Sequence, residues 1–270
     1  LAQASRIGSA LVAFAELTAS PEMDQRLMKA MLDVDEHHWW YRGRRMVVRA
    51  ELEQLPLRAG GRILDAGCGS GRMLQELRDY GEVSGIELDP DAAAFAASRG
   101  CGEVRVGRLE ELPWPDGSFD LITSLDVIEH TPDDRRALSE LRRVSSPGGF
   151  LLVTVPAYQA LWSLHDIANH HYRRYSRRSL RLAALESGWT VRRVTSFNSI
   201  LLPPAAIVRL AQRGRRIDDG YSPELELGPA WLNTVLEWPL RAEAMLLARG
   251  GTLPAGLSLL AVLENAGPGA

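Results

Sequence analysis

The chain has 270 residues, 46% hydrophobic and 24% charged, with a net charge of −3, so it can bury a full core and offers no global electrostatic case for nucleic acid. Its two cysteines, Cys68 and Cys101, have no CxxC or Cys/His partner spacing, which argues against a zinc site or a disulfide framework and suits a reducing compartment. No apolar run approaches the roughly 18 residues of a membrane span, and residues 7–17 lack the basic flank of a signal peptide, so a cytoplasmic setting is expected.

In chain order, residues 1–35 read as helical, with Leu11, Phe14, Ala15 and Leu17 on one face and Pro21 restarting a second helix. The segment Glu36-His37-His38-Trp39-Trp40-Tyr41-Arg42-Gly43-Arg44-Arg45 then sets three consecutive aromatics beside three arginines. Aromatics can wall a ligand while arginine pairs with its carboxylate. The plainer alternative is a helix that anchors aromatics on a sheet edge.

The rest of the chain is arranged around Ile63-Leu64-Asp65-Ala66-Gly67-Cys68-Gly69-Ser70-Gly71. An apolar pair leads to an aspartate, three glycines alternate with small residues, and Met73, Leu74 and Leu77 follow at helical spacing. This reads as strand, tight turn, helix. Glycines there permit positive φ and close approach of a ligand to the backbone, and the helix aims unpaired N–H groups at it. Such a turn fits a nucleotide-like cofactor. Glu87 ends the next apolar run, 22 positions after Asp65, where a carboxylate can accept two ribose hydroxyls; a dinucleotide or an S-adenosylmethionine (SAM) site would suit. Residues 91–99 are alanine-rich and helical, Val104-Arg105-Val106 is a short strand, Asp116-Gly117 marks a turn, and Phe119 opens a buried strand.

The succession D-A-G-C-G-S-G, then L-P-W-P-D-G-S-F-D-L-I, then D-V-I-E-H, then L-R-R-V-S-S-P-G-G-F-L-L-V-T-V-P resembles the class I SAM-dependent methyltransferases of small-molecule type in order and spacing, over roughly a third of the chain. The resemblance implies a Rossmann-like α/β fold, a doubly wound, mostly parallel seven-stranded sheet. It also implies SAM as cofactor, with S-adenosylhomocysteine as product. By that resemblance Asp65, Gly67, Cys68 and Gly69 surround the methionine part, Glu87 holds the ribose, Leu88 packs on the adenine, and Leu109 with Glu110 meets its edge. Carbonyls at Ser124 and Leu125 take the ammonium, and Trp40 and Arg45 come from a segment lying over the cofactor. One departure stands out: many relatives carry aspartate after the glycine of the Gly107 segment to accept from the adenine amino group, and here that position is Arg108, which has donors only. His130 reads as a local capping histidine ahead of a general base. Ser146-Pro147-Gly148-Gly149 breaks the chain between a helix at 134–144 and a strand at 150–155.

Past Pro156 the chain becomes individual. Leu161-Trp162-Ser163-Leu164-His165-Asp166 precedes His170-His171-Tyr172-Arg173-Arg174-Tyr175-Ser176. A long loop after this strand would cap an acceptor. His165 and His171 are the expected bases for deprotonating a hydroxyl, with Asp166 as orienter; a polar lid with a solvated arginine face is the alternative. A strand follows Gly188, an apolar helix covers 205–210, a polar, turn-rich excursion 217–229, an amphipathic helix 231–247 and a last strand 257–263. The apolar helix ending in arginines could touch an anionic membrane, though covering an apolar acceptor pocket is favoured.

The expected organisation is one structural domain: a helical cap at 1–50, a methyltransferase core at 51–200, a helical insertion or lid at 201–250 and the last strand and tail at 251–270. The expected function is O-methylation of a small-molecule hydroxyl on a glycan, lipid-linked or natural-product acceptor, with no metal and no nucleic acid. C-methylation of a quinone or polyketide, or a non-catalytic SAM-binding scaffold, are the alternatives. No Asn-Pro-Pro-Tyr-type amino-methylation motif follows the fourth strand.

Overall fold

The computed structural model describes residues 34–211 and 229–267. The expected helices before residue 34 and the excursion at 217–229 fall largely outside the described residues. The helix α1, Trp39–Leu52, is followed by β1 (Gly61–Ala66), α2 (Arg72–Leu77), β2 (Gly81–Glu87), α3 (Pro90–Ser98), β3 (Glu103–Val106) and β4 (Phe119–Leu125). Then come α4 (Asp134–Val144), β5 (Ser145–Pro156), α5 (Leu164–Ala168), α6 (Arg177–Glu186), β6 (Thr190–Phe197), α7 (Leu202–Ala211), α8 (Ala230–Leu247) and β7 (Ser258–Glu264).

The strands form one seven-stranded sheet in the order β3-β2-β1-β4-β5-β7-β6. All neighbours pair in parallel except β7, which is antiparallel to both β5 and β6. The expected mostly parallel seven-stranded architecture is therefore present. Chain order reverses between β1 and β4, which puts the ligand crevice beyond the carboxyl ends of those two strands.

Local chemistry explains the elements around that crevice. Pro90 sits in the first turn of α3, where its missing N–H costs nothing, and the Asp89 carboxylate accepts from Asp91 N at 2.9 Å and Ala92 N at 2.8 Å. In α4 the buried residues Ala137, Leu138, Leu141 and Val144 form one helical stripe, which packs with α6 and Trp189 on one face of the sheet. The opposite face is covered by α1, α2 and α8 through Val47, Val48, Leu74, Leu77, Leu240 and Leu247. Central β5 is buried on both faces from Leu151 to Val155, as a strand covered on both sides must be. It begins at Ser145, so Ser146–Gly149 is a register irregularity within the strand and not the expected break before it.

The helices α1 and α8 pack directly on one another. A Cβ on Gly43 would overlap Leu240, so glycine lets α1 and α8 cross closely. Arg42 pairs with Glu237 at 3.0 Å, and Trp39 N donates to Asn233 Oδ1 at 3.1 Å. Trp40 stacks on Phe197 at the end of β6, with ring centroids 5.6 Å apart. No described helix is long and apolar enough to cross a membrane.

Candidate functional site

The glycine loop leaves β1 with Gly67, Gly69 and Gly71 all at positive φ. Side-chain atoms would overlap Val127 at Gly67 and would meet Ala96 Cα at 2.9 Å at Gly71. A Cβ on Gly69 would meet nothing within 4 Å, so the loop is clamped at both ends and open at its middle. The Glu87 carboxylate at the end of β2 reaches over it: one oxygen accepts from Gly69 N at 2.8 Å, the other from Leu88 N at 2.8 Å and Asp89 N at 3.1 Å. Leu88 beside it is 57% exposed. An open glycine, a strand-end carboxylate and an exposed apolar side chain are what a ribose-bearing cofactor requires, and the residues fit SAM. Behind the loop Asp65 is buried and accepts from Thr123 Oγ1 at 2.6 Å; burial pushes its carboxyl up to about 7, against the opposing pull of that bond and of Arg44.

Other expected cofactor contacts are placed differently. The Cys68 side chain points into the core, where burial raises its thiol pKa. Leu109 is also a core side chain, and Glu110 lies 3.9 Å from Arg108. Arg45 was expected over the cofactor, but its guanidinium is buried between Asp35 and Glu76, at 3.1 Å and 3.0 Å. It reaches the loop only through Asp35, which accepts from Ser70 Oγ. Arg44 comes instead to the end of β4, donating to Leu125 O at 3.1 Å and Asp126 Oδ2 at 2.7 Å. It thus holds the carbonyl expected to take the ammonium. Trp40 and Arg44 are four residues apart and share a helix face, whereas Arg45 is turned by one position.

Beyond β4 and β5 a second cluster is assembled. Residues Ile128–His130 form a 3₁₀ turn, and the 157–176 segment folds back on it: Tyr172 N donates to Glu129 O at 2.8 Å, and Tyr158 N to Tyr175 O at 2.8 Å. Asp126, Tyr158, His170 and Asn198 are non-glycine residues at positive φ, each following the end of a strand or helix at this edge. Such strain gathers where surrounding structure dictates the backbone.

Asp166 is fully buried at the start of the short α5. Its oxygens take His171 Nδ1 at 2.9 Å, Arg174 Nε at 2.7 Å and Ser163 N at 2.8 Å. Burial alone would raise this carboxyl, but the bonds from His171 and Arg174 more than reverse it. Asp166 therefore holds His171 and makes no hydrogen bond to His165. His165 lies beside the pair, its ring centroid 6.2 Å from that of His171, and burial, then Arg209, pulls its pKa down to about 4. His130 meets His171 edge to face, with centroids 4.5 Å apart; packing around its ring and then His171 draw its pKa down to about 4. Glu129 is completely buried, and neither carboxylate oxygen has a hydrogen-bond partner outside its own residue. Burial, then Asp126, raises its pKa.

Comparison with known proteins decides the cofactor half. A methyltransferase-domain profile matches residues 64–153. The core is a class I SAM-dependent methyltransferase domain. The chain is 36% identical over 124 residues to a probable SAM-dependent methyltransferase of Mycolicibacterium smegmatis, covering 45% of this chain and 47% of that protein. It is 36% identical over 118 residues to the 27-O-demethylrifamycin SV methyltransferase of Amycolatopsis mediterranei, covering 38% and 43%. The chain thus spans under half the length of these curated relatives. Its fold is similar to that of the methyltransferase solved with the Haloferax volcanii Trm112 activator, at a TM-score of 0.60 and 21% identity, covering 91% of this chain and 97% of that one. For this methyltransferase domain, SAM is the cofactor.

Proposed function

We propose that this chain methylates a hydroxyl of a small-molecule acceptor (a glycan, lipid-linked group or natural product) with SAM, a histidine of the 157–176 loop taking the proton. The observation that carries the reading is the junction at Val127, which packs on Gly67 of the cofactor loop while Glu129 and His130, two and three residues on, open the histidine cluster. The two chemistries would meet across one short turn.

When bound, SAM supplies a methyl group already activated on sulfur. Asp65 and the Gly67–Gly71 loop would border its methionine part, Glu87 its ribose hydroxyls, Leu88 its adenine face, and the Leu109–Glu110 backbone the adenine edge. Leu125, with Arg44 and Trp40 on α1, would close the amino-acid end. On the acceptor side the protein has to hold an oxygen about 3 Å from the methyl carbon and exclude water. The acceptor O–H would give its proton to a ring of the His165–His171 pair, Asp166 fixing His171, and the oxygen's electron pair would form the bond to the methyl carbon as the carbon–sulfur bond breaks and leaves its pair on sulfur. Such proton transfer typically contributes 10²–10⁴-fold.

The test uses methyl-labelled SAM, purified protein and an extract of the source organism, partitioned into aqueous and organic phases. Label in either phase is expected, with His165→Ala or His171→Ala lowering transfer about 100-fold while SAM affinity is kept. Transfer undiminished in both variants would point to C-methylation, and SAM binding without any labelled product to a scaffold; either overturns the proposal.

A further inference from the structure

We propose that Glu129, His130 and His171 form a binding site for a divalent transition-metal ion on the acceptor side of the cofactor loop. One ligand atom from each residue lies within 4.8 Å of the others. Ligands at metal–donor lengths of about 2.0–2.2 Å sit some 3–3.5 Å apart, so modest rotation of the side chains closes the site around an ion.

The strongest indication is Glu129. A carboxyl with no solvent exposure and no outside hydrogen-bond partner for either oxygen is costly, and a buried polar group left so calls for a specific explanation. The two imidazoles nearest it supply nitrogen donors, and His171 is prepared for coordination. Asp166 engages its Nδ1 at 2.9 Å and is itself anchored by Arg174 at 2.7 Å, which leaves Nε2 with the lone pair. A carboxylate behind a ligating histidine is the usual supporting arrangement. The backbone is also prepared: Tyr172 N bonds Glu129 O at 2.8 Å and His171 N bonds Asp166 O at 2.9 Å, which ties the two ligand-bearing segments together.

Charge favours a cation as well. Asp126 and Asp166 pair with Arg44 and Arg174, each at 2.7 Å, while the Glu129 carboxyl has no ion-pair partner among the described residues, so a bound cation would take the place of its proton. Two imidazoles and one carboxylate select zinc, cobalt, nickel or iron over magnesium or calcium, which prefer all-oxygen sites. Three protein ligands leave coordination positions open, and His130 keeps part of its surface in solvent, so an acceptor oxygen has a way in. The cysteine-based reading of the sequence expected no metal; a site of this donor set needs no cysteine.

The site deepens the methyl-transfer reading and rests on it only for the use made of the ion. With His171 engaged as a ligand, a coordinated acceptor hydroxyl is acidified, its proton passes to His165, and its oxygen attacks the methyl carbon as the carbon–sulfur bond breaks.

The test is titration of Co²⁺ alone into the metal-stripped full chain, read by visible absorption and calorimetry with neither cofactor nor acceptor present. One equivalent is expected to bind, with affinity lowered at least about 100-fold in His130→Ala and Glu129→Gln, and about 10–100-fold in Asp166→Asn. His165→Ala keeps Co²⁺ uptake. Absence of stoichiometric uptake by the wild type, or uptake unchanged in the partly exposed His130→Ala variant, would overturn the proposal. Either result leaves the methyl-transfer reading standing, because no turnover is measured.

Discussion

Two carboxylates stand at the ends of strands flanking β1, and they are treated in opposite ways. Glu87, after β2, is satisfied by three backbone N–H groups of its own loop and of the glycine turn. Glu129, just after β4, is more deeply buried and has no outside partner for either oxygen. The first braces the backbone of the glycine loop; the second, on the proposal made above, serves a bound cation. Between them lies Val127 against Gly67, so the two halves cannot be perturbed independently at that point.

The largest effect is therefore expected at the junction. Gly67→Ala puts a Cβ into Val127 at a φ of +83°. Left-handed backbone costs about 1–2 kcal/mol and overpacking about 1–3 kcal/mol, so thermal unfolding should show a loss of about 2–5 kcal/mol together with loss of SAM binding. Adding Val127→Ala should return the overpacking part only; full recovery would mean the backbone angle does not matter.

Glu87→Gln breaks the cofactor side alone. It replaces charge-assisted hydrogen bonds worth about 1.5–3 kcal/mol, so calorimetry should find SAM binding weakened about 10–100-fold. Co²⁺ uptake at the other carboxylate should be untouched, and a parallel loss of both would show that the two regions act as one.

The smallest effect is a pH dependence that sharpens the contrast. Burial sets the folded Asp65 pKa at about 7, above its unfolded value, so the carboxyl is neutral in the free protein below that pH and charged above it. Only the anion attracts the cationic cofactor. SAM affinity should consequently weaken as pH falls from 8 to 6, approaching tenfold per unit below about 7. Asp65→Asn should flatten that profile, and an unchanged slope in the variant would assign the dependence to another group.

The cofactor half was legible because its chemistry is local. Asp65, the three glycines and Glu87 lie within 23 consecutive residues, and strand, turn and helix periodicity places them without knowledge of any distant contact. The acceptor half was legible only as a list of residue types. His165, Asp166 and His171 stood out, but adjacency in sequence suggested an Asp166–His165 pair, while the five-residue helix turns Asp166 inward to His171 and Arg174. Arg44 and Arg45 are likewise separated only by helical phase, and which of them meets the end of β4 depends on the face of α1 that packs on the sheet.

By itself, then, the sequence determined the strand, glycine turn and helix of the cofactor loop and the strand-end carboxylate, since these follow from hydrophobic period and glycine conformation over short spans, while its motif order implied the doubly wound α/β core by resemblance. Tertiary structure alone decided which arginine meets the end of β4 and that α8 packs on α1 through Gly43. It alone brought Glu129 and His130 beside His171, some 40 residues further on. Those outcomes depend on where a crossover returns and which side chains it buries, and no local pattern encodes a meeting between segments so far apart.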